Sequence, residues 1–201
     1  MKNIITNIFL ILFCAFLSNC SFPEVTNIHS QHKYEKTPMD AEGPFYPVTR
    51  KSDEDSDLIN VKGKSKSAKG EVLNLTGVVV NKDGIPHKNV IVEIWQTDAN
   101  GLYEHPKDRS KGKRDPFFQY WGRAKTNQEG EYSFKTLIPE KYEPRPSHIH
   151  FKIWAGKKVV LTSQMYVLKN KIHPSSINEL LKLEVTKNKE EEYSGFFRIV
   201  Y

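Results

Sequence analysis

The chain has 201 residues, 38% hydrophobic and 27% charged, with a formal net charge of +6. That length suits one domain with a core that needs no staples. Basic runs at Lys62, Lys64, Lys66 and Lys69, and from Lys107 to Arg114, come with no nucleic-acid motif, so they are read as solvated loops and not as a nucleic-acid surface.

In chain order, Lys2 precedes an apolar run from Ile8 to Leu17. The run is too short to span a bilayer and has the length of a signal-peptide core, so residues 1–19 are read as a signal peptide. The segment Leu17-Ser18-Asn19-Cys20 resembles a bacterial lipobox, with Asn19 departing from the usual small residue. The expectation is export to the periplasm or cell envelope as a membrane-anchored lipoprotein, lipidated on Cys20; secretion after ordinary cleavage is the alternative. Cys14 and Cys20 are the two cysteines of the chain, so the domain beyond them has no disulfide and no thiolate ligand. Thiolate zinc and iron–sulfur clusters are thereby excluded.

Residues 20–38 are polar and aperiodic and read as a flexible tether, which leaves 39–201 as the domain. Residues 50–70 are charged, with Asp57-Leu58-Ile59 as their one apolar foothold, and read as a surface loop. Residues 72–80 and 90–96 are strand-like, and the Gly84 and Pro86 punctuation between them predicts a hairpin. A turn at Asn100-Gly101 leads to Tyr103, and a polar loop follows over 104–116. A second hairpin is expected from Ala124–Thr126 and Tyr132–Leu137 around Glu129-Gly130. Alternation from His148 to Trp154 predicts a strand that turns at Ala155-Gly156 and returns from Val159 to Val167. Ile177, Leu180 and Leu181 have helical spacing, so a short helix is expected over Ser176–Leu183, capped by Ser175 or Ser176. Tyr193–Tyr201 closes the chain as a strand. The fold class is mainly β: a single-domain β-sandwich of antiparallel strands with long loops and one short helix.

The stretch Tyr142-Glu-Pro-Arg145-Pro-Ser-His148-Ile-His150 carries the chemistry. His148 and His150 stand at i and i+2, so on a strand both imidazoles project from one face, a ready pair of metal ligands. From that pair alone a zinc or copper site remains open, as does a packed pair with no metal.

Several further segments stand in the order found in the intradiol ring-cleavage dioxygenases, the family of catechol and protocatechuate dioxygenases, which this chain resembles from about residue 38 to 201. These are Glu42-Gly43-Pro44-Phe45-Tyr46, Trp95 to Tyr103, Gly122-Arg123, Gly130 to Phe134, Arg145-Pro-Ser-His148-Ile-His150 and Gln164-Met165-Tyr166. The resemblance implies a mononuclear Fe(III) held by Tyr103, Tyr142, His148 and His150. Two phenolates suit a hard ferric ion, and two neutral imidazoles complete the protein donors. It implies a catecholic substrate and O2, with cleavage between the two hydroxyls to a muconate-type diacid. Tyr142 would take a proton from the substrate, Arg145 would stabilise developing negative charge, and Gln164 would lie near the same site. Only two residues separate Tyr142 from Arg145, fewer than in well-studied members, which implies a more open pocket.

Tyr46, Tyr120 and Tyr132 read as hydrogen-bonded corner residues and His105 as a loop residue, and His29, His32, His87 and His173 are given no role. The rival from another class is a non-catalytic β-sandwich lipoprotein, used for binding or adhesion, that retains the fold.

Overall fold

The computed structural model describes residues 32–48, 53–169 and 175–201. The expected signal peptide, Cys20, most of the tether, His29 and His173 lie outside the described residues.

Eight strands form: β1 (Val72–Val80), β2 (Ile91–Trp95), β3 (Trp121–Lys125), β4 (Glu131–Leu137), β5 (His148–Ala155), β6 (Lys158–Leu168), β7 (Lys182–Lys187) and β8 (Tyr193–Val200). Their order is β3-β2-β5-β6-β7-β8-β1-β4, a single sheet that folds over on itself. β7 makes the turn from one face to the other. Its first half runs beside β6 and its second half pairs with β8. Inward residues of the β1, β4 and β8 layer (Leu73, Leu75, Phe134, Phe197, Ile199) face those of the other layer (Val92, Ile94, Ile149, Phe151, Ile153, Met165) across one core. Phe151 and Phe197 meet edge to face across it, centroids 5.8 Å apart. Each such side chain contributes about 1.5–3 kcal/mol by leaving water.

The mainly β class holds, with four differences in detail. β1 pairs with β8, and β6 with β7, in parallel, so the sheet is not wholly antiparallel. β1 and β2 form no hairpin: β1 pairs with β4 and β8, whereas β2 pairs with β3 and β5. The turn at residues 81–86 therefore carries the chain between layers. β3 and β4 are likewise the two ends of the sheet order, joined by a tight turn without pairing. The expected helix is a 3-10 turn at Glu179–Leu181 that runs straight into β7. Asn178 caps it by accepting the Leu180 N–H, so neither serine serves as the cap. Ile177 and Leu181 pack with Tyr166, and Leu183 and Val185 then alternate inward as strand residues. The β5–β6 hairpin forms as expected.

The loop over 50–70 does more than cover surface. The Asp55 carbonyl accepts from Arg123 N–H at the β3 edge, and the Ser56 carbonyl accepts from Lys135 N–H at the β4 edge. Leu58 is fully buried between them. Residues 55–58 thus plug the gap that the unpaired β3 and β4 leave.

From residue 32 onward the tether segment lies against the domain. Thr37 bonds Val200 in both directions, the Pro38 carbonyl accepts from the Ser163 hydroxyl, and Asp40 N–H donates to the Thr162 carbonyl. This strap runs on over the outer side of β6 and β5. Every β5 residue from His148 to Ile153 is therefore buried, on both faces of the strand.

Candidate metal centre

Register builds one wall of the site. Trp95 of β2 pairs with His150, Gln164 of β6 pairs with His150, and Tyr166 pairs with His148. All five side chains leave the sheet on its outer face, opposite Ile149 and Phe151. Trp95 stacks flat on His150, with the ring planes 6° apart and centroids 4.8 Å apart.

Tyr103 arrives from the loop after β2. Its position depends on Asp98, which is fully buried. Asp98 Oδ1 accepts the N–H groups of Asn100 (2.8 Å) and Leu102 (3.1 Å), while Oδ2 accepts Asp115 N–H (3.0 Å) and the Tyr120 hydroxyl (2.8 Å). Tyr103 is then clamped through its own backbone. Its N–H donates to Asp108 at 2.8 Å, and Arg114 Nε donates to its carbonyl at 2.5 Å. Tyr142 opens a turn closed by Arg145 N–H donating to its carbonyl. Its ring packs edge-on against Tyr103 (5.7 Å) and near His148 (5.6 Å).

The donor atoms converge. Tyr103 Oη lies 3.0 Å from His150 Nε2 and 3.3 Å from His148 Nε2, and the two Nε2 atoms are 3.2 Å apart. His148 Nδ1 donates to the Pro146 carbonyl at 2.6 Å, so its Nε2 carries the lone pair. His150 Nδ1 is buried with no hydrogen-bond partner among the described residues, so no hydrogen bond there fixes which of its nitrogens carries the proton. Donors at about 2.1 Å from a single ion lie about 3.0–3.4 Å from one another, which is the spacing seen. Burial pushes the His148 imidazole down to about 4 and the His150 imidazole well below its ordinary value, so both are neutral, as metal ligands must be. Burial, and after it the neighbouring Tyr142 hydroxyl, pushes the Tyr103 phenol far above its ordinary range. A phenolate there requires a cation beside it. Among the described residues no cluster of three or more His, Cys, Asp or Glu could hold a metal, so a metal at His148 and His150 would need the tyrosines as further donors. Two phenol oxygens with two imidazoles fit a ferric ion.

Beside the donors, Arg145 Nη2 donates to Gln164 Oε1 (2.5 Å) and to the Tyr166 hydroxyl (3.2 Å). Gln164 Nε2 donates to the Ala41 carbonyl (2.7 Å), and the Tyr166 hydroxyl donates to Asp40 (2.9 Å). Gly43 sits at φ +73°, where a Cβ would come within 3.2 Å of His150 Cε1. A larger residue there would press on the ring and adopt a backbone conformation that only glycine takes freely. The six site residues expected from sequence, Tyr103, Tyr142, Arg145, His148, His150 and Gln164, all lie in this one region.

Sequence reasoning missed Asp40, Asp98, Asp108 and Tyr166. Tyr166 was within reach, because it stands at i+2 from Gln164 on one strand. Asp98 begins an Asp-x-Asn-Gly turn, but its bonds to Asp115 and Tyr120 are non-local. His105 is a buried loop residue whose Nδ1 accepts Lys107 N–H. Tyr46, Tyr120 and Tyr132 bond Glu93, Asp98 and the Phe197 carbonyl respectively. A cavity of about 850 Å³ lies at the seam between β3 and β4, away from these donors, while one of about 330 Å³ abuts Arg145 and Tyr166.

A family model described as Dioxygenase matches residues 41–195. The protocatechuate 3,4-dioxygenase beta chain of Burkholderia cepacia is 36% identical over 137 residues, 63% of this chain and 57% of that one. Catechol 1,2-dioxygenase 1 of Acinetobacter lwoffii is 27% identical over 149 residues, 65% of this chain and 46% of that one. The chain spans about half the length of these curated relatives. Among solved structures, the dioxygenase domain of a carbohydrate-binding fusion protein from Streptomyces sp. SirexAA-E aligns with a TM-score of 0.66 at 24% identity, over 83% of this chain and 98% of that one. The intradiol ring-cleavage dioxygenase from Tetranychus urticae aligns with a TM-score of 0.65 at 23% identity, over 83% and 94%. At these identities the structural likeness is one of fold.

Proposed function

The chain belongs to the intradiol dioxygenase family, and we propose that it is a non-haem Fe(III) enzyme that cleaves a catecholic ring between its two hydroxyls. Both atoms of O2 end in a muconate-type diacid. The observation that carries this is the convergence of Tyr103 Oη with the two imidazole Nε2 atoms, all within 3.0–3.3 Å of one another, with Tyr142 packed beside them.

Ferric iron, when bound, would supply a hard Lewis acid able to draw electron density from a catecholic ring. His148 and His150 would hold it as neutral imidazoles, the first oriented by the Pro146 carbonyl and the second by the face of Trp95. Tyr103, buried and clamped at both its N–H and its carbonyl, would be the phenolate donor that stays in place. Tyr142 is half-buried on a short turn and is the donor able to move. Its phenolate oxygen takes a proton from the incoming catechol and turns aside. Arg145 holds positive charge beside the ring, and its bond to Gln164 fixes the guanidinium there.

The test is direct. Purified protein loaded with ferric iron should be red-brown from phenolate-to-iron charge transfer, and should consume O2 with at least one member of a catechol panel. A colourless loaded protein sinks the donor assignment, and a coloured one that consumes no O2 with any catechol supports a binding protein instead. The leader reading adds that the enzyme works outside the cytoplasm, held at a membrane through Cys20.

A further inference from the structure

Glu93 is a fully buried carboxylate that the proposed reaction does not use. It stands two residues before Trp95 on β2, so both side chains leave the sheet on the outer face that carries His148 and His150. Its register partners are Arg123 of β3 and Lys152 of β5. Arg123 Nε and Nη2 both donate to Glu93 Oε2, at 2.9 and 2.8 Å. The other oxygen, Oε1, accepts the Tyr46 hydroxyl at 2.5 Å. A buried ion pair is a costly way to fill a strand position, and apolar side chains of similar volume often serve stability as well or better. What an apolar residue could not do is hold the Tyr46 hydroxyl.

A second group fixes Tyr46. Lys152 Nζ lies 3.6 Å from its ring centroid, and the same ammonium bonds Glu42 at 2.6 Å. The Tyr46 ring meets the Trp95 ring at 86°, with centroids 5.0 Å apart. The Trp95 indole Nε1 is buried with no hydrogen-bond acceptor among the described residues. Packing therefore sets its plane, with Tyr46 and His150 as aromatic partners. The two imidazoles differ in the same respect. The Pro146 carbonyl orients His148, whereas His150 Nδ1 is buried without a hydrogen-bond partner among the described residues. The His150 ring rests instead on the flat face of Trp95.

These contacts form one chain, from Arg123 through Glu93, Tyr46 and Trp95 to His150. Resting on the function proposed above, we propose that Tyr46, held by Glu93, is a positioning residue for the metal centre: it sets the plane of Trp95 and so the direction in which the His150 ring points. Losing the Tyr46 hydroxyl frees its ring from β2 while keeping the bulk of the ring, so the loss falls on orientation more than on packing.

The experiment compares the full wild-type chain with Tyr46→Phe and with Tyr132→Phe. The last is a control of the same chemistry, since the buried Tyr132 hydroxyl donates to the Phe197 carbonyl in the main core. In metal-free protein carrying isotope-labelled histidine, the Cε1–H magnetic-resonance signal of His150, assigned by its loss in His150→Ala, should lie upfield under the Trp95 face. Tyr46→Phe should move it downfield. It should also raise the iron dissociation constant, read against a competing chelator, by about tenfold, the low end for groups that orient metal ligands. Tyr132→Phe should do neither, although it too loses a buried bond. A His150 signal that Tyr46→Phe leaves in place overturns the inference, as does an unchanged iron affinity or an equal effect from the two variants. A wild-type protein that binds no iron overturns the proposed function instead, and is told apart because the His150 signal is read without metal.

Discussion

Trp95 and His150 lie face to face on neighbouring strands, their planes only 6° apart. The indole covers one side of the imidazole, so it limits rotation of a ligand ring that has few other constraints. Trp95→Leu should remove that restraint and also lose packing worth about 2–4 kcal/mol. Trp95→Phe keeps an aromatic plane and should cost less. The expected readout is iron content under a competing chelator, with Leu well below Phe and Phe below wild type. Equal retention in all three would show that the stack orients nothing.

The four proposed donors should separate into two kinds on substitution. His148→Ala and His150→Ala should each remove most of the iron, measured by metal analysis of protein purified under identical loading. Tyr142→Phe should retain iron and slow catechol binding, because the proton acceptor is lost while the other three donors remain. Stopped-flow mixing of catechol with the loaded protein measures this, and an unchanged binding rate would remove Tyr142 from the mechanism.

Asp98 touches no substrate, yet it organises the turn that delivers Tyr103. Asp98→Asn retains one acceptor oxygen in place of two, so at least one oxygen's donors lose their partner. A loss of about 2–4 kcal/mol is expected in denaturant unfolding. The visible band should weaken along with stability, since Tyr103 moves with the turn. A stable variant with full colour would separate the turn from the site.

Cys20→Ala tests the leader. If the lipobox reading is right, the wild-type protein fractionates with membranes and the variant is released or left unprocessed. Identical fractionation of the two would favour plain secretion or retention.

The centre of the site was legible because it is local. His148 and His150 are two residues apart on a strand whose alternation is clear, and the return through Ala155-Gly156 is a local turn. The Arg145-to-His150 run lies within one stretch of chain. What could not be read was which layer each strand joins. The turns after β1 and β3 carry hairpin-like signals, Gly84 and Pro86 in the first and Gly130 in the second, but both lead to the opposite layer, and that choice is made by core packing far away in sequence. β7 was hidden because Ile177, Leu180 and Leu181 have a spacing that a 3-10 turn and a following strand also satisfy. Asp40 carried no motif, since its role depends on a strap folding over β6.

That strap sets where the molecule can be shortened. A recombinant fragment beginning at Asp53 would still contain all eight strands, the 55–58 plug and the four donor side chains. It would lack the Ala41 carbonyl that steadies Gln164, the Gly43 cushion under His150 and the single acidic group of the cavity wall. A cloning boundary chosen from the β-strands alone would therefore yield a folded shell with its lining removed.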